Sequence, residues 1–234
     1  MTTLFDPIRF GNIASANRIV MAPLTRKDVS VPRALRLEEL PNIVAEYSHG
    51  GTKENRARFP LEVMKAIVAE IGAGRTGLCL SPVTPVNDAG QDSDAQGLFN
   101  YFVEQLGPLR LAFIHVIEGA TGGRRDIAKF DYAALRSRFK LGNEQGAWIV
   151  NNGYTRAMAI DAVSRGVADM VAFGKPFISN PDLVNRLRLD APLTALNNDT
   201  LYGGNAIGYT DYPTLDSAHT EEQIPTAVAR GARR

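Results

Sequence analysis

Cysteine is nearly absent: Cys79 is the only one among 234 residues. That excludes an internal disulfide framework, a CxxC redox pair and a cysteine zinc cluster, and it suits a reducing compartment. Net charge is also scarce, since 26 Lys and Arg against 25 Asp and Glu leave +1. Such a balance supplies no broad electrostatic footprint for nucleic acid or an anionic membrane. No apolar run approaches the ~18 residues of a membrane span. The opening "MTTLFDPIRFGN" lacks the charged head and apolar core of a signal peptide. The expectation is a soluble, cytoplasmic protein. HExxH, GxSxG and P-loop motifs are missing as well, which weakens metalloprotease, hydrolase and NTPase readings.

What the chain does have is a rhythm of short apolar runs, each followed by a helical pattern. Five read as buried strands: 19–24 ("IVMAPL"), 77–81 ("GLCLS"), 111–117 ("LAFIHVI"), 148–150 ("WIV") and 170–173 ("MVAF"). They are near-continuously apolar, as parallel strands covered on both faces are. Between them, Leu61, Met64, Val68 and Ile71 form one stripe of a helix over 54–71. Thr52 is placed to cap that helix, "SDAQ" at 93–96 has the capping-box pattern, and Thr155 caps a later helix that Gly166 ends. Asn180 and Pro181 mark another helix start. Strand and helix in alternation predict an α/β fold with a parallel sheet, either a TIM barrel or an open doubly wound sheet. Five strands are too few to close a barrel.

In both architectures ligands bind at the carboxyl ends of the strands. Two of those ends carry glycine, Gly153 in "WIVNNGYT" and Gly174 in "MVAFGKPFI". Glycine lets backbone N–H groups approach a phosphate, and Lys175 adds a point charge; the alternative is two tight turns with Lys175 solvated, which the pair of glycines and the lysine together disfavour. Thr25, at the end of the first run, suits either a hydrogen bond to a flat heterocycle or a capping hydroxyl, and spacing alone does not choose between them. His115, inside an apolar strand, is expected to be a satisfied core histidine instead of a catalytic base.

Several long phrases together resemble one family. "LFDPIRFGNIASANRIVMAPLTR", "GGTKENRARFPLEV", "GLCLSP", "LAFIHVIE", "MVAFGKPFISNPDLVNRLR" and "YGGNAIGYTDYP" stand in the order found in the old yellow enzymes. These are FMN-dependent NAD(P)H oxidoreductases that reduce activated alkenes, the N-ethylmaleimide, morphinone and 12-oxophytodienoate reductases among them. The resemblance implies a TIM barrel with FMN at its carboxyl mouth and NADPH or NADH as reductant. It places Pro23, Leu24 and Thr25 against the flavin, and Gly153 and Gly174 at its phosphate. Lys175 stands where the family has arginine, keeping the charge but losing the bidentate fork. Tyr202 falls near the flavin and the substrate pocket. Cys79 replaces an arginine that lies beside the flavin edge where negative charge collects on reduction.

The resemblance also implies that segments are missing near 26–30 and 49–51. The seam at "EYSHGGTKENRARF" lies where a strand and its loop belong. Lost with those segments are a flavin-contacting glutamine, the pair that grips the substrate carbonyl and the tyrosine proton donor, so no catalytic residue is assigned. The expected architecture is a TIM-barrel-derived α/β fold with about five of eight parallel strands. Residues 1–215 form one FMN-binding domain and 216–234 a disordered tail. An enone-reducing oxidoreductase impaired by shortening is one functional expectation. The other is an inactive truncated or mis-spliced homologue that binds FMN weakly and associates with itself through open sheet edges. Neither involves nucleic acid or a membrane.

Overall fold

The computed structural model describes residues 2–23, 51–85, 92–127, 129–201 and 206–216. Its strands are β1 (Ile8–Phe10), β2 (Ile13–Ser15), β3 (Ile19–Met21), β4 (Gly77–Leu80), β5 (Phe113–Ile117), β6 (Ala147–Asn151) and β7 (Met170–Phe173). The α-helices are α1 (Lys53–Ile71), α2 (Ala95–Leu106), α3 (Tyr132–Gly142), α4 (Arg156–Ser164), α5 (Lys175–Ser179) and α6 (Leu183–Leu189). The described residues group into two compact units. One holds those up to Ala22 and from Gly51 to Phe173; the other holds Pro23 and those from Gly174 onward.

The first unit carries the sheet. Its strand order is β4-β5-β6-β7-β3, and every pairing is parallel. The five apolar runs of the sequence are these five strands. The first of them pairs with the last, with Ile19 opposite Val171. That closing pair belongs to a parallel barrel, yet β3 and β4 each have a single neighbour among the described strands. Among the described residues five barrel strands are therefore present, as an open, α/β, TIM-barrel-derived sheet.

Alternation assigns the two faces. Ala147, Ile149, Met170 and Ala172 point one way and form a buried cluster with Phe10, Ala22 and Ala112. Phe10 belongs to the hairpin β1–β2, which the apolar periodicity did not foretell because each strand is only three residues long. The hairpin packs Ile8 and Ile13 against the same cluster, and Phe10 meets Phe113 edge-on at 6.1 Å. At its turn Gly11 has φ +52, and a Cβ there would lie 2.7 Å from the Gly74 carbonyl oxygen. Only glycine fits, and Asn12 N–H donates to that carbonyl at 2.8 Å. Phe113, Ala147 and Met170 begin their strands, so the hairpin fills the amino end of the sheet and leaves the carboxyl end to the loops.

A shortened barrel is expected to expose its inward apolar layers. Ile149 and Ala172 are nonetheless buried, because the hairpin supplies the apolar surface they need. The opposite face carries Ile114, Val116, Trp148, Val150 and Val171, all buried, with the Phe139 ring of α3 6.0 Å from Trp148. Leu98, Phe99, Phe102 and Leu106 of α2 are buried as well.

Helix boundaries follow side-chain chemistry, with three differences from expectation. Thr52 caps α1 and Thr155 caps α4, each accepting from the backbone three residues on. Gly166, at φ +67, follows α4 as its glycine stop. The cap of α2 is Asp94 instead of Ser93, since Gln96 is engaged elsewhere, bonding Asn100 and Asp131. On α1 the stripe is buried at Leu61 and Met64, but Ile71, in the last turn, is 43% exposed. In the second unit, α6 starts after Asp182 and not at Asn180. The Asn180 side chain is fully buried and already spent on the Pro176 carbonyl and the Thr194 amide. Burial opposes ionisation of Asp182. Bonds from Arg186 at 2.7 Å and from the Leu215 amide at 2.8 Å outweigh it and hold the carboxyl below its ordinary range.

Candidate functional site

The carboxyl ends of β5 and β6 lie side by side, with Ile117 opposite Asn151. Beyond β6 the chain makes two consecutive residues of positive φ, Asn152 at +109 and Gly153 at +66. Thr155 then caps α4, its hydroxyl accepting from Met158 N–H at 3.3 Å. Gly153 is exposed, and nothing lies within 4 Å of the place where its Cβ would be. Its backbone is thus open on one side, at the start of a nine-residue helix whose N-terminal amides favour an anion.

Behind that loop stands a polar cluster with no counterpart in the local motifs. Glu118 follows β5 directly and is buried. Its Oε2 accepts from Arg125 Nη2 at 2.5 Å and from Tyr154 Oη at 2.9 Å. Arg125 also donates to Tyr154 Oη at 3.1 Å, with its guanidinium stacked 4.3 Å from the centre of that ring. Burial pushes the Tyr154 phenol up, and the Glu118 charge beside it pushes the same way, so the phenol stays protonated. Burial raises Tyr132 too; its Oη accepts from Gly119 N–H at 2.8 Å. The one sequence signal for this cluster is a charged residue immediately after a buried strand, in "FIHVIEG".

On the inner face of the sheet Cys79, His115 and Ile149 share one layer across β4, β5 and β6. Cys79 is exposed, on the strand at the sheet edge. His115 is only 4% exposed, and burial takes its imidazole down to about 4, so it is neutral near pH 7. It is a core residue, as expected, but not a satisfied one: its Nε2 is buried without a hydrogen-bond partner among the described residues.

In the second unit Gly174 precedes α5 with φ −94, outside the left-handed region that favours glycine. Lys175 and Pro23 are exposed. Leu24, Thr25 and Tyr202 lie outside the described residues.

Residues 45–193 match the model of the NADH:flavin oxidoreductase / NADH oxidase family. The chain belongs to that family. It is 30% identical to 12-oxophytodienoate reductase 2 of Arabidopsis thaliana, over 91% of this chain and 68% of that protein. Among solved structures, morphinone reductase superposes with a TM-score of 0.65 at 36% identity, covering 74% of this chain and 45% of that one. The old yellow enzyme of Trypanosoma cruzi does so at 0.62 and 34%, covering 71% and 42%. The chain therefore spans less than half the length of these two solved relatives. The cofactors that come with the NADH:flavin oxidoreductase family are those expected from the sequence, FMN and a nicotinamide dinucleotide. No helix among the described residues is long and apolar enough to cross a membrane.

Proposed function

We propose that this chain is a flavin-binding, NAD(P)H-dependent oxidoreductase of old yellow enzyme type whose reduction of activated alkenes is impaired by its shortening. The observation that carries the reading is the β6–α4 loop. Gly153 has positive φ, its backbone is open on one side, and a capped helix begins just beyond it. This suits the phosphate end of FMN. Gly153 would offer backbone N–H groups to the phosphate. When bound, FMN supplies the two-electron relay between the nicotinamide and an enone.

The flavin ring finds less. Pro23, Leu24 and Thr25 would lie against it, and Tyr202 would border the substrate. Cys79, on the inner face, replaces a cation with a neutral thiol and leaves negative charge at that edge of the ring without a partner. Weak FMN binding and slow enone turnover follow. The test is purification, a flavin spectrum, and NADPH consumption with 2-cyclohexenone. Stoichiometric FMN with brisk turnover refutes the impairment.

A second reading is supported by the two sheet edges. β3 and β4 each lack a second strand neighbour among the described residues, and a strand at a sheet edge is a template for pairing with another copy. In this reading the chain is an inactive homologue that acts through self-association. Size-exclusion chromatography separates the two, because a monomer at micromolar concentration removes the second.

A further inference from the structure

We propose that Glu118, Arg125 and Tyr154 form a clamp that holds the Asn152–Thr155 loop in the conformation presenting Gly153 to a phosphate. This rests on the phosphate reading of Gly153 above and adds three positioning residues to it.

The loop is not a conformation that the chain adopts unaided. Asn152, a residue with a Cβ, stands at φ +109. Such a backbone persists only where its surroundings over-determine it. The side-chain bonds of Asn152 and Tyr154 run to one stretch, 118–125. The Asn152 amide donates to the carbonyls of Glu118 at 2.5 Å and Ala120 at 2.8 Å. Glu118 N–H donates to the Asn151 carbonyl at 3.1 Å. The Tyr154 hydroxyl is gripped by Glu118 and Arg125, and its ring lies under the Arg125 guanidinium. Asn152 and Tyr154 flank Gly153, so both neighbours of the glycine are pinned while the glycine itself remains open.

The stretch doing the pinning is itself anchored. Gly119 N–H donates to Tyr132 Oη, the Gly119 carbonyl accepts from Thr84 Oγ1 at 2.8 Å, and Ala120 N–H donates to the Arg124 carbonyl at 2.8 Å. Gly119 sits at φ +73, where a Cβ would be 2.4 Å from the Arg125 Cα; this closeness folds Arg125 back toward Glu118. Arg125 is stacked and paired on one side, and its side chain keeps 35% exposure. A cluster serving only core stability has no need to converge on the two residues flanking an exposed glycine.

The test compares FMN with riboflavin, which lacks the phosphate, by fluorescence titration of wild type, Tyr154→Phe, Glu118→Gln, Arg125→Lys and Arg125→Met. The expected wild type prefers FMN. Tyr154→Phe and Glu118→Gln lower FMN affinity about tenfold, as the loss of a hydrogen bond to a charged group does. Riboflavin affinity stays within about twofold, so the preference collapses. Arg125→Lys, which keeps the charge, retains part of the preference that Arg125→Met loses. Hydrogen exchange at residues 152–155 accelerates in the variants while that of β5 and β6 does not, showing an intact sheet around a loosened loop. Wild-type discrimination preserved in the Tyr154→Phe and Arg125 variants overturns the clamp and leaves the phosphate reading standing. A wild type that binds both flavins equally overturns the phosphate reading, and the clamp with it.

Discussion

His115 offers a sharp test because the structure fixes the sign and size of its effect. Its imidazole is 4% exposed, its Nε2 has no partner among the described residues, and burial lowers its pKa from 6.5 to about 4. Between those two values the unfolded chain binds a proton that the folded protein refuses. Stability therefore falls as the pH falls, with the full contribution present above 6.5 and the loss accumulating down to about 4. Linkage across that window makes the protein lose about 2 kcal/mol between pH 7 and pH 5 through this one group. His115→Leu removes the titration and the unsatisfied nitrogen together. At pH 7 the variant is expected to be at least as stable as wild type, since an orphaned buried polar atom costs on the order of 1 kcal/mol or more. At pH 5 its advantage should have grown by about 2 kcal/mol. Urea unfolding of both proteins at the two pH values measures this directly, and groups common to both cancel in the difference. A gap that does not widen on acidification shows that His115 is not a neutral histidine held in the core.

Three further outcomes are expected. Thr155→Ala removes the α4 cap and should cost about 1 kcal/mol, a fall of roughly 2–4 °C in a thermal melt. Phe139→Ala, emptying the place of a fully buried ring beside Trp148, should cost about 3–5 kcal/mol in urea unfolding. Cys79→Arg, which puts a cation on the inner face, should tighten FMN binding about tenfold in fluorescence titration, and an unchanged affinity would remove Cys79 from the flavin edge.

The strands were legible because each is a short, continuous apolar run, a pattern that burial on two faces imposes on the sequence itself. Thr52 and Thr155 were legible as caps because capping is local, a hydroxyl and an amide three residues apart. Ser93 and Asn180 misled for the same reason in reverse. Local spacing allowed each to cap, but Asp94 took the first position, and Asn180 was drawn to Thr194, fourteen residues away. Gly153 was legible from its place between strand and helix. Of Glu118, Arg125 and Tyr154 the sequence marks only the first, as a charge directly after a buried strand, since their contact spans up to 36 residues. The orphaned Nε2 of His115 was equally out of reach, because satisfaction depends on what packs above the strand.

The pairing of β3 with β7 also sets a clock. Ile19 is made early, yet its register partner Val171 follows some 150 residues later. At the usual pace of synthesis, about 5–20 residues per second, β3 waits on the order of 10 s for the strand beside it. Until then its edge is bare on both sides among the described strands, and closing so long a loop carries an entropic cost as well. For this chain, the hazardous interval lies on the ribosome, before the last strand has emerged.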